Sequence, residues 1–179
     1  WQEGAGAVFA ENQALRWLSD LAGLPESAGG VFVQGGTIGN LSALVVARAE
    51  TRKKYPDAKR FVVACSVEAH SSIAGAANVM DVDVLKIETD INGKLQGEAV
   101  GAAIDKLHAN SETRVFAVVA TSGTTNLGII DDLESVGKAA HDRGIWFHVD
   151  GAYGLAALCA PSVRPLFKGV EAADSFIVD

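Results

Sequence analysis

Cysteine is scarce: Cys65 and Cys159 are the only two in 179 residues, in unrelated contexts and without metal-type spacing. That argues against a disulfide framework and suits a reducing compartment, so the cytoplasm is the expected location. Long apolar runs are lacking too. Segments such as Val115–Ala120 fall far short of a membrane span, and no basic segment leads into an apolar stretch near the N-terminus. Neither a membrane partner nor a secretion signal is expected. The net charge of -7 is spread over interleaved acids and bases with no Lys/Arg block, which gives nucleic acid and anionic membrane surfaces nothing to hold. A small-molecule role fits better.

What is present is a chain with 49% hydrophobic content, enough for one sizeable core and too short for two ordinary domains. Residue 1 is Trp rather than Met, and residue 179 closes an apolar strand-like run with no helix or polar tail after it. The expectation is therefore a fragment, incomplete at both ends.

Apolar residues at helical spacing (Ala14, Leu15, Leu18, Leu21) predict a first helix over Glu11–Leu21, stopped by Gly23-Leu24-Pro25. A Gly-rich stretch from Gly29 to Gly36 leads into a second helical pattern over Leu41–Lys54, so its glycines sit at a helix N-terminus. Short apolar runs then alternate with helical or loop segments: Phe61–Cys65, Val82–Ile87, Val115–Ala120, Ile145–Val149 and Ser175–Val178. Val- and Ile-rich runs without polar alternation suit strands buried on both faces. The expected fold class is α/β, a mainly parallel sheet with helices on both faces, and ligands should gather at the carboxyl ends of the strands.

Four segments could carry chemistry. Gly35-Gly36-Thr37-Ile38-Gly39-Asn40 puts glycines and a hydroxyl where a helix begins; free N–H groups there favour a phosphate, although a plain turn capped by Thr37 or Asn40 reads equally well. It is neither a Walker loop nor a dinucleotide fingerprint. Ala69-His70-Ser71-Ser72 follows the first strand, and its imidazole is either a capped loop residue or a plate against a flat ligand. Thr121 to Gly128 crowds hydroxyls and glycines into one loop, fit for oxyanions or for side-chain turns. His148-Val149-Asp150-Gly151-Ala152-Tyr153-Gly154 places an acid at the rim of a buried sheet, where it needs a partner. A salt bridge, a helix cap or a protonated heterocyclic nitrogen would serve, and Ala152 is small enough for a ring to lie over it.

In this order and at these separations, the segments resemble the group of pyridoxal-phosphate (PLP) dependent decarboxylases that includes the aromatic-amino-acid, glutamate and histidine decarboxylases. The resemblance runs from Leu15 and Trp17 to Ala173-Asp174-Ser175-Phe176. It is most specific at Ala69-His70-Ser71-Ser72, Gly123-Thr124-Thr125 and His148 to Tyr153. It implies the three-layer large domain of PLP-dependent transferases (fold type I, aspartate-aminotransferase-like), with residues 1–179 a partial PLP-binding domain and the smaller C-terminal domain absent. It also implies decarboxylation of an L-amino acid to an amine and CO2, PLP as cofactor, and a homodimer in the full-length protein. Residue by residue, it implies that Gly36 and Thr37 hold the cofactor phosphate, with Asn40 supporting the turn. His70 stacks on the ring and shares the catalytic role with Asp150, which pairs with the ring nitrogen. Thr125 lies near cofactor and substrate, Ala152 packs on the other ring face, and Ser175 helps the phosphate. The family's lysine, which holds the cofactor covalently, follows a His shortly after the strand that ends here at Val178-Asp179, so this chain stops before it. Other enzymes of the same fold, such as aminotransferases and carbon–carbon lyases, and a non-catalytic remnant are the competing readings.

Overall fold

The computed structural model describes residues 2–109 and 112–179. Its helices are α1 (Ala5–Ala22), α2 (Gly35–Lys54), α3 (Ser71–Met80), α4 (Gly97–His108) and α5 (Leu133–His141). Its strands are β1 (Arg60–Ser66), β2 (Asp83–Ile87), β3 (Thr113–Thr121), β4 (Trp146–Asp150) and β5 (Ser175–Ile177), and three short 3-10 turns fill the link from β4 to β5. All strands are parallel, in the order β2-β1-β3-β4-β5. No helix among the described residues is long and apolar enough to cross a membrane.

The sheet separates two apolar layers. Alternate residues of β1, namely Phe61, Val63 and Cys65, pack with Leu44 and Ala47 of α2 and Ile73, Ala76 and Ala77 of α3. Val62 and Ala64 face the other way, into a cluster with Val100 and Ile104 of α4 and Val136 and Ala140 of α5. Burial on both sides is why these strands read as unbroken apolar runs. The first helix begins earlier than its periodicity indicates, at Ala5, and ends at Gly23, whose φ of 75° is the left-handed stop that glycine adopts freely.

One irregularity re-aims a strand. Val62 pairs with Val115, but Val63 pairs with Ala117, so Phe116 is an extra residue in β3. Phe116 and Ala117 consequently both face α2 and α3, and the alternation beyond them is reversed. Thr121, paired with Asp150, thereby points to the same side of the sheet as that carboxylate.

Asp131, buried at 3% exposure, fastens the end of β3. Its Oδ2 accepts from the Thr121 N–H at 2.7 Å and its Oδ1 from the Leu95 N–H at 2.8 Å. Burial pushes its pKa up to about 6 against the pull of those two bonds. The folded protein thus holds this proton more tightly than the unfolded chain, and Asp131 contributes less stability as the pH rises from about 4 through about 6. Asp131→Asn turns an amide NH2 toward one of two backbone donors and is expected to cost about 1–3 kcal/mol. Melting curves of the complete polypeptide should show the gap between wild type and Asp131→Asn narrowing between pH 4.5 and pH 7; a gap independent of pH contradicts this account.

Candidate cofactor site at the carboxyl edge of the sheet

The order of the strands places a crevice where chain connections leave β1 and β3 in opposite directions, the position at which open α/β sheets bind ligands. A cavity of about 190 Å³ lies there. Gly36, Thr37 and Asn40 of α2, His70 and Ser72 at the start of α3, and Thr121, Gly123 and Thr125 after β3 form much of its wall; Asp150, Ala152, Tyr153 and Asp179 complete it. Six of the seven residues expected at the site are thus together: Gly36, Thr37, His70, Thr125, Asp150 and Ala152.

Ser175 is not in that wall. Its hydroxyl accepts from the Trp146 indole N–H at 2.8 Å and lies 2.8 Å from His148 Nδ1, so it is engaged behind the cavity rather than toward a phosphate. The reason is strand alternation: Ser175 is the register partner of His148, and both stand on the α2 face one step back from the sheet's edge.

The Gly-rich segment forms the first turn of α2 itself. Neither Thr37 nor Asn40 caps it; Gln34 is at the cap position and makes no side-chain bond there. Gly36 N–H donates to Asp179 Oδ2 at 3.0 Å, which marks this helix end as a place where an anion sits. Gly39 serves packing. A Cβ there would meet Ile177 Cγ2 at 2.9 Å, so only glycine lets α2 lie this close to β5.

Asn40 is the residue that sequence reasoning undervalued. It is 1% exposed, and its amide nitrogen donates both to Asp150 Oδ2 and to Ser72 Oγ, each at 2.9 Å. Its carbonyl oxygen faces His148 Nε2, also at 2.9 Å. The helical spacing shows Asn40 on α2, but only the packing of α2 across β4 shows that its amide reaches Asp150.

Asp150, at 5% exposure, has no ion-pair partner among the described residues and caps no helix. Its Oδ1 takes a 3.3 Å bond from the Ala152 N–H. A buried carboxylate compensated by two neutral donors alone still favours a cation. His70 Nδ1 accepts from the Ser72 N–H at 3.2 Å, which caps α3, and the residue also lines the cavity. Three buried hydroxyls at this edge, Ser66, Thr121 and Ser122, have no hydrogen-bond partner among the described residues, and Thr121 is in the cavity wall. The loop after Thr121 is held by Gly123 and Thr124 N–H groups on the Ile129 carbonyl.

These features fit a flat, anionic, heterocyclic cofactor. Asp150 would meet a protonated ring nitrogen, His70 and Ala152 would flank the ring, and Thr121 and Thr125 would offer hydroxyls. The first turn of α2 would receive the phosphate in place of the Asp179 carboxylate. No cluster among the described residues could hold a metal ion.

Comparison with known proteins agrees with this chemistry. The pyridoxal-dependent decarboxylase conserved domain matches residues 1–179. An aromatic-L-amino-acid decarboxylase of Bacillus atrophaeus is 34% identical over the whole of this chain and 37% of its own length. An L-2,4-diaminobutyrate decarboxylase of Rhizobium meliloti (strain 1021) is 37% identical over the whole chain and 36% of its length. The crystal structure of the glutamate decarboxylase domain of a diaminobutyrate-pyruvate transaminase and L-2,4-diaminobutyrate decarboxylase from Vibrio parahaemolyticus superposes with a TM-score of 0.93 at 30% identity. It matches all of this chain and 41% of that one. The chain therefore spans little more than a third of the length of the curated relatives it matches, and it belongs to the pyridoxal-dependent decarboxylase family of fold type I, whose cofactor is PLP.

Proposed function

We propose that this chain is the cofactor-binding part of a longer enzyme that decarboxylates an L-amino acid. The Cα–carboxylate bond breaks, CO2 leaves, and a proton takes its place at Cα to give the amine. Asp150 carries the reading. It is a buried carboxylate without a cationic partner among the described residues, at the edge of a cavity lined by His70 and Ala152. PLP, when bound, supplies an electron sink for the bond that breaks. The protein's own task is to hold, orient and polarise. Asp150 favours the protonated form of the ring nitrogen through charge proximity. His70, in the cavity wall, would lie against the ring and hold its plane, and its imidazole would be the group to move a proton there. The first turn of α2 fixes the phosphate end.

The lysine that holds the cofactor is supplied, in this proposal, by the polypeptide beyond Asp179. Phe9 (68% exposed), Trp17 (61%) and Phe32 (57%) leave large apolar surfaces open, which supports further chain or a second copy lying against them. A homodimer is the proposed assembly. Both cysteines are free, Cys65 buried and Cys159 exposed, which supports a reducing compartment such as the cytoplasm.

Asp150→Ala in the complete polypeptide is expected to lower kcat by several orders of magnitude at saturating PLP; unchanged turnover refutes its role. His70→Ala should weaken cofactor retention and turnover together, and if both survive, His70 is only the cap of α3. Incubation with candidate amino acids should release amine and CO2 in equal amounts. A keto acid as the product identifies another enzyme of the same fold instead.

A further inference from the structure

Behind the cavity, seven side chains from α2, the start of α3, β4 and β5 form one continuous run of hydrogen bonds. Trp146 Nε1 donates to Ser175 Oγ at 2.8 Å, and that hydroxyl meets His148 Nδ1 at 2.8 Å. His148 Nε2 meets Asn40 Oδ1 at 2.9 Å, and Asn40 Nδ2 donates to Asp150 Oδ2 and to Ser72 Oγ, each at 2.9 Å. Ser72 Oγ then meets His70 Nδ1 at 2.9 Å. His148 is fully buried and absent from the cavity wall.

We propose that His148 is a positioning residue. As a neutral imidazole with its proton on Nε2, it orients the Asn40 amide and thereby fixes which atoms of Asp150 and His70 remain for the cofactor.

The direction follows from what each end can do. An indole N–H only donates, so the Ser175 oxygen accepts there, and its own hydrogen stays free to turn to His148 Nδ1. A carboxylate only accepts, so Asn40 must turn its NH2 toward Asp150 and its carbonyl oxygen toward His148. The Asn40 oxygen thus calls for a proton on His148 Nε2, which in a neutral ring leaves Nδ1 to accept from Ser175. Burial holds the His148 pKa well below the ordinary imidazole value, which keeps the ring neutral. The reverse arrangement would press the Asn40 carbonyl oxygen against the Asp150 carboxylate.

The consequences reach the cavity. Asn40 occupies Asp150 Oδ2, so Oδ1, with only its 3.3 Å bond from Ala152, is the oxygen left for a ring N–H. Ser72 takes the second Asn40 hydrogen and passes its own to His70 Nδ1, which also accepts the Ser72 N–H. His70 is thereby held with its proton on Nε2. The effect on cofactor binding rests on the PLP reading above; the tautomers do not.

The test uses the complete polypeptide labelled with 15N-histidine, with His70→Gln and His148→Gln spectra assigning the signals. Two-bond 1H–15N spectra of the cofactor-free protein should show both His70 and His148 as Nε2–H tautomers. His148→Phe, which fills the space but donates nothing, should weaken PLP binding about tenfold, the scale of one buried hydrogen bond, while His70 keeps the tautomer that the Ser72 N–H also holds. His148→Gln, whose amide can still donate to Asn40, should restore most of that affinity. If His148→Phe is folded by circular dichroism yet keeps the wild-type Kd, or if wild-type His148 carries its proton on Nδ1, the proposal is overturned. Should His148→Phe not fold, Asn40→Ala decides: a mixed His148 tautomer supports the chain, and an unchanged one overturns it. Failure of the wild type to bind PLP at all would count against the cofactor reading alone, since the tautomer measurement is made without it.

Discussion

A carboxylate removed from water at the end of a strand sets the terms for everything around it. Asp150 is 5% exposed, and the groups that compensate it are the Asn40 amide and the Ala152 N–H rather than a cation of the protein. To bring Asn40 within 2.9 Å, α2 must cross β4 and β5 at close range, and that approach depends on Gly39, where a Cβ would collide with Ile177. The same approach carries the first turn of α2, with Gly36 and Thr37, into the cavity. One buried charge thus ties helix packing, glycine placement and the anion-receiving end of the site together.

The sheet contributes by alternation. On β4 and β5, Phe147, Val149 and Phe176 point into the α4/α5 layer, while Trp146, His148, Asp150 and Ser175 point toward α2. Polar groups on that face satisfy one another in line, so the interior bears them without an ion pair. The extra residue in β3 brings Thr121 onto the same side, where its buried hydroxyl has no partner among the described residues. Asp131 pins the two backbone segments at that point.

Much of this was legible before any coordinates. The five apolar runs correspond to the five strands within a residue or two, most plainly in β1, β3 and β4, where burial on both faces keeps the composition apolar. His70, Thr125 and Asp150 follow strand ends, and strand ends are where such sheets gather ligands. Other features depend on contacts between residues far apart in sequence. Gly39 reads as part of a phosphate cradle, yet its reason is Ile177, 138 residues later. The resemblance assigns Ser175 to the phosphate, yet its register with His148 turns it inward. Asn40 reads as a cap, and nothing local reveals that it bridges His148, Asp150 and Ser72. The β3 bulge leaves no mark in a run of Val, Phe and Ala.

The central claim, that Asp150 awaits a protonated ring nitrogen, is tested most directly by a binding cycle on the complete polypeptide. Affinities of wild type and Asp150→Ala would be measured for PLP and for its analogue with the ring nitrogen replaced by carbon. The account predicts that losing the nitrogen weakens binding to the wild type by about tenfold or more and matters little once Asp150 is gone. Equal losses in both proteins would contradict it, because the carboxylate would then be serving the fold and not the cofactor.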